Sequence, residues 1–111
     1  MKEKWSRKSH GTGVLELRVP PDAQRVRDIE VYCRLVVRMK DPVFAEHGMR
    51  VYVNGLLKWS RRIKTSNPGD TDSLDYRFKA EVSVGSPLRV AVAPEVIGCS
   101  VVDSTIEAEE D

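Results

Sequence analysis

The reactive groups of this sequence are two histidines, two cysteines, one run of cations and one run of carboxylates. Nucleophilic catalysis needs a Ser or Cys, a base and an orienting group within mutual reach. His10 lies in Ser9-His10-Gly11-Thr12-Gly13 and His47 stands beside Glu46. No nucleophile elbow or cysteine-protease signature surrounds Cys33 or Cys99. The sequence therefore predicts no enzyme and no catalytic residue, and His47 is the position an enzymatic reading would test first. Gly11-Thr12-Gly13 lacks the third glycine and the lysine of a phosphate cradle and precedes a strand, so it reads as a lead-in.

Cys33 and Cys99 are too few for a disulfide framework. They read as two buried, reduced thiols acting as small hydrophobes. The alternative is one bridge joining two sheets, as in immunoglobulin domains. Against it, Ile97 occupies the place two before Cys99 where a corner tyrosine is expected, and Trp59 lies well past its usual place. Neither cysteine has a ligand neighbour at zinc spacing.

The cationic run is Lys58-Trp59-Ser60-Arg61-Arg62-Ile63-Lys64. In extended backbone Lys58, Ser60, Arg62 and Lys64 share one face, cationic over ~20 Å. Lys58, Arg62 and Lys64 would bind an anionic ligand, either nucleic-acid phosphate or a phospholipid headgroup. The preferred reading is an edge strand guarded by positive charge. Trp59 falls on the opposite face, so no aromatic platform of the RNA-binding type accompanies the cations.

Asp70-Thr71-Asp72-Ser73-Leu74-Asp75 offers three hard oxygen ligands suited to calcium. It lacks the glycine and terminal glutamate of an EF-hand loop. The stretch Lys64-Thr65-Ser66-Asn67-Pro68, followed by Tyr76-Arg77-Phe78, is faintly similar to the calcium- and phospholipid-binding sandwich of conventional protein kinase C. That resemblance implies calcium at the Asp-rich loop. The second acidic loop it also implies is not evident between Pro20 and Asp28. The loop reads as a solvated turn, and no metal or cofactor is assigned.

Period-two alternation supplies the framework for all of these groups. Leu15, Leu17 and Val19 face one way, and Pro20-Pro21-Asp22 ends that strand. Ile29, Val31, Cys33, Leu35, Val37 and Met39 form one face of a long strand, with Glu30, Tyr32, Arg34, Val36 and Arg38 opposite. Asp41 to Gly48 is expected to hold one helical turn with Pro42 at its first position. Met49, Val51 and Val53 lead into Asn54-Gly55, a two-residue hairpin signal, and Leu57, Trp59 and Ile63 continue the apolar set on the return strand. Ser66 to Ser73 reads as a loop. Leu74, Tyr76, Phe78, Ala80, Val82 and Val84 share a face of a fifth strand, and Leu88, Val90 and Val92 make a sixth. The last runs from about Val96 to Glu107, its apolar phase slipping by one residue as at a β-bulge to which Gly98 contributes.

The expected fold is an antiparallel β-sandwich of about seven strands, immunoglobulin-like or related, forming a single domain over residues 1–111. Within it, 1–12 is read as a flexible basic arm and 107–111 as an acidic tail. No apolar run approaches membrane-spanning length, and Met1 to His10 carries no signal-like apolar region, so the cytoplasm is expected. Residues 1–64 hold fifteen lysines and arginines against seven acids, net +8, and residues 65–111 hold three against ten, net −7, returning +1 overall. Strands from the two halves lying side by side would complement one another. The half-apolar outer face of the long strand, Tyr32, Arg34 and Val36, is the expected partner-binding surface. These readings converge on a non-enzymatic structural or protein-interaction module, docking on an unknown protein or on a second copy. Nucleic acid or a membrane surface is the alternative partner.

Overall fold

A computed structural model describes residues 3–41, 43–66 and 70–111. Its described residues form eight strands: β1 (Lys4–Ser9), β2 (Leu15–Val19), β3 (Arg27–Met39), β4 (Glu46–Val53), β5 (Leu56–Lys64), β6 (Thr71–Val82), β7 (Leu88–Ile97) and β8 (Cys99–Glu110). They build two four-stranded antiparallel sheets, in the orders β1-β8-β3-β6 and β2-β7-β4-β5. We call these sheet A and sheet B. The sandwich is the expected one. Its strand order is the related jelly-roll kind, in which successive strands alternate between sheets. Among the described residues β4 and β5 are the one pair of hydrogen-bonded strands that are also consecutive in sequence. Their turn is Asn54-Gly55, with φ of 50° and 84°, as a two-residue hairpin requires.

The dry faces match the alternation. Ile29, Val31, Cys33, Leu35 and Val37 on β3 are fully buried. Opposite them in sheet B lie Leu15, Leu17, Val19, Met49, Val51, Leu88, Val90 and Val92. Each such aliphatic side chain contributes about 1.5–3 kcal/mol by leaving water. Trp59 and Tyr76 stack across the side of the sandwich bounded by edge strands β5 and β6. Their ring centroids are 4.5 Å apart and their planes within 4°, and Phe78 packs on Tyr76 at 5.5 Å.

Four local expectations change. Residues 4–9 are not a free arm: they form β1 against the end of β8, with Lys4 opposite Glu109, Trp5 opposite Ala108 and Ser6 opposite Glu107. The acidic tail is thereby strand through Glu110. Neither segment carries enough apolar residues to predict a strand alone; each supplies the other's partner. Secondly, Glu46 to Gly48 open β4 rather than closing a helical turn, and Pro42 lies outside the described residues. Thirdly, β6 stops at Val82 and Val84 is 48% exposed. Finally, the last expected strand is the end of β7 plus β8. The chain crosses between sheets at Gly98, φ 64°. The one-residue slip exists, but at Val102: Val36 pairs with Asp103 and Val37 with Val101.

Gly98 is confined twice over. A Cβ there would lie 2.3 Å from the Phe44 carbonyl oxygen, and its own carbonyl accepts from the amides of Lys40 and Asp41 at 2.7 and 3.0 Å. Gly85, at φ 76°, has open space where a Cβ would go. Gly85→Ala should therefore cost about 1 kcal/mol, the left-handed backbone penalty alone. Gly98→Ala should cost at least ~2 kcal/mol. Urea unfolding midpoints of the two variants check the ranking.

Candidate functional site

The expected docking residues lie on the wet face of sheet A, because their neighbours on β3 are dry. Tyr32 is half-buried, with the Arg77 guanidinium 4.5 Å above its ring. Arg77 also reaches Glu30 at 4.0 Å. Partial burial first, and then the Asp75 carboxylate, hold the Tyr32 phenol above its ordinary pKa. Arg34 pairs with Asp75 at 3.8 Å, and Val36 is half-buried between Ser73 and Asp103. Tyr32 lines a shallow groove of about 500 Å³ together with Lys4, Ser6, Glu30, Arg77, Glu107 and Glu109. Lys4 and Glu109 face each other at 3.8 Å. Glu107 stands opposite both Tyr32 and Ser6 in the sheet. It is exposed, and among the described residues it has no ion-pair partner. Sequence reading missed Glu107, since assigning it to a tail hid its place across from Tyr32.

The three cations of the alternative site do not stay together. Pairing of β4 with β5 shifts so that Val51 faces Trp59 and Tyr52 faces Leu57. Lys58 is the extra residue, and its ammonium lies 5.7 Å from the Phe78 ring centroid across the sandwich. Arg62 is held by Glu95 and lies 4.0 Å from Glu46. Glu95 also takes Arg50 at 2.6 Å. Lys64 alone keeps an unpaired charge at the strand end, among the described residues.

The charge asymmetry along the chain is largely consumed internally. Lys4–Glu109, Lys8–Asp103, Arg25–Glu110, Arg34–Asp75, Arg50–Glu95 and Arg62–Glu95 each join a cation of the first half to an acid of the second.

His47 is fully buried on the dry side of β4. Its Nδ1 lies 2.6 Å from Thr65 Oγ1. The same hydroxyl is 3.2 Å from Cys99 Sγ, and that thiol donates to the Glu46 carbonyl at 3.5 Å. Nε2 has no partner. One direction of the chain leaves no orphan donor: Nδ1–H to Thr65, Thr65 O–H to Cys99, Cys99 S–H to Glu46. The imidazole is then neutral, and burial lowers its pKa against a smaller opposing pull from Asp72. His47 and Thr65 are at most 1% exposed, so these bonds tie strand ends together, and of the three side chains Cys99 alone is partly exposed.

Both cysteines are free, and both belong to sheet A, so the inter-sheet bridge is not formed. Burial pushes the Cys33 thiol up to about 12. Of the Asp-rich stretch, Thr71 onward is strand. Asp72 and Asp75 differ by an odd number of residues and so point to opposite faces. Asp75 is taken by Arg34, and Asp72 accepts from the Ser66 amide at 3.4 Å. Asn67, Pro68 and Gly69 of the expected Ser66 to Ser73 loop lie outside the described residues.

The His47 geometry fixes a pH response. Its folded pKa is below the unfolded value of about 6.5, so the unfolded state takes up the proton first. Stability should be full above pH 6.5 and fall as pH drops below it. His47→Leu should flatten that component of a urea-unfolding series between about pH 5 and 7. Thr65→Val, which leaves a buried imidazole N–H without its acceptor, should cost about 1–3 kcal/mol. Cys99 should also react with a thiol reagent well before Cys33 in the folded protein, read by mass spectrometry.

No family model and no curated protein matches the chain. Among solved structures it is similar to part of dimeric latent PorU from Porphyromonas gingivalis. That match is 12% identical with a TM-score of 0.62 and covers 98% of this chain but only 12% of PorU. The EclA C-terminal domain, a sugar-binding protein, matches at 14% identity and a TM-score of 0.43, covering 96% of this chain and 74% of that one. The insecticidal delta-endotoxin Cry8Ea1 from Bacillus thuringiensis matches at 14% and 0.44, covering 99% and 19%. The PorU likeness shows the fold, a β-sandwich.

Proposed function

We propose that this chain is a non-enzymatic docking module that receives a basic segment of a protein partner on the wet face of sheet A. The observation that carries the reading is the groove over Tyr32, in which Glu107 stands exposed with its charge unanswered by the described residues. Glu30 and Glu109 already face Arg77 and Lys4, so the groove holds one acid more than its cations. A lysine or arginine laid along it would meet Glu107 and cover the Tyr32 ring. Arg34 and Val36 continue the same face along β3. Two free thiols suit a reducing compartment, which supports the cytoplasm as the place of action.

The test is an amide NMR titration with a short arginine-rich peptide and an acidic peptide of the same length. Shifts from the basic peptide should concentrate on β1, β8, β3 and β6 around Tyr32 and Glu107. Glu107→Gln should weaken binding about three- to five-fold, as for one partly exposed ion pair. No shifts, or shifts confined to sheet B, would refute the proposal.

A further inference from the structure

Four strands end the two sheets, β1 and β6 in sheet A and β2 and β5 in sheet B. Three of them are blunted. β1 and β2 are short, six and five residues. β5 bulges at Lys58 and carries Lys58, Arg61, Arg62 and Lys64. Shortness, bulges and cations are the devices that keep an edge from pairing with another chain. β6 is different. It is twelve residues long, holds no proline, and pairs with β3 in unbroken register. Its cations Arg77 and Lys79 are balanced by Asp75 and Glu81 on the same face. Among the described residues nothing pairs with its outer edge. Along that edge Tyr76 and Phe78 are half-buried, in one stack with Trp59.

An open edge takes an added strand through its backbone, and the side chains opposite select that strand. β6 is complementary to itself. A two-fold axis perpendicular to the sheet pairs two copies antiparallel with both wet faces on one side. With the axis at Tyr76, Asp75 stands opposite the second copy's Arg77, twice over, and Ser73 opposite its Lys79. On the dry face Tyr76 meets Tyr76 and Leu74 meets Phe78. Axes at Asp75, Arg77, Phe78 and Lys79 each put like charges opposite: Asp75 on Asp75, Arg77 on Arg77, Arg77 on Lys79, and Lys79 on Lys79. The Tyr76 register also asks no charge to give up its partner. Asp75 keeps Arg34, Arg77 keeps Glu30 and Lys79 keeps Asp111.

We infer that this chain forms a two-fold dimer through β6, joining the two copies of sheet A in the order β1-β8-β3-β6-β6-β3-β8-β1. β5, whose cations would meet their own copies, adds no pairing. The two grooves over Tyr32 open on one face of the joined sheet, and the dimer does not depend on what they bind. Sedimentation equilibrium of the full chain tests it, and the mass should rise from monomer to dimer with concentration. Ser73 is exposed, so substitution there should leave urea midpoints of dilute protein unchanged. Ser73→Lys sets a cation against Lys79 at two equivalent places and should weaken the dimer about five-fold, and Ser73→Asp should tighten it by about the same factor. Oxidation reads the register. Ser73→Cys with Lys79→Cys should give a dimer disulfide mapped to those two positions, and neither variant alone should link through its new cysteine. The inference is overturned by a chain still monomeric at millimolar concentration, by a dimer indifferent to both charged Ser73 variants, or by self-linking of either single cysteine variant at its new position.

Discussion

A strand with one dry side cannot stand alone, and that requirement organises this molecule. β3 carries five fully buried side chains on one face and is hydrogen-bonded along both edges, to β8 and β6. Its dry face must be covered by another sheet, so the chain passes back and forth between layers instead of meandering within one. The same alternation lifts Tyr32, Arg34 and Val36 to the wet side. A slip of one residue would exchange the two sets. β8 shows how tightly the rule is kept: Val101 faces the pairing of Val37 and Ile106 that of Cys33, an odd separation. Only the extra residue Val102 lets both share one face.

Electrostatics follow from that topology. Interleaving puts β8, from the acidic half, between β1 and β3, from the basic half. The steep charge gradient along the chain becomes a set of cross-strand pairs, each worth little alone. Their collective effect is to cancel any broad field that would attract polyanions over distance. What is left is a local imbalance, one acid more than the cations in the groove over Tyr32. Function is best sought at such remainders, because a paired surface charge gains little by exchanging one partner for another.

Features set by neighbours in sequence were readable from it. The alternations in β2, β3 and β7 and the Asn54-Gly55 turn each depend on a few adjacent residues. Features set by distant contacts were not. Lys4 to Ser9 holds one large apolar residue, Trp5, and becomes a strand because Ser104 to Glu109 lies beside it. The bulge that turns Lys58 away from Arg62 is a matter of register with β4, and strict alternation along β5 could not reveal it. Half of the groove over β3 was therefore visible as Tyr32. The other half, Glu107, became visible only once β8 had a place.

The end carrying Val43 and Phe44 shows why exposure there is not a packing accident. A slack loop with a phenylalanine would fold the ring onto the nearest apolar surface, since burial is favourable and the backbone cost small. Here the freedom is removed. Asp41 fixes the turn, Gly98 holds the Lys40 and Asp41 amides, and Thr65 ties Ala45. Beneath them the buried run from His47 through Thr65 to Cys99 joins β4, the end of β5 and the start of β8. Polar groups sealed from water tolerate little displacement, because each lost bond leaves an orphan. Apolar side chains are kept in water by a structure that does not let them retreat.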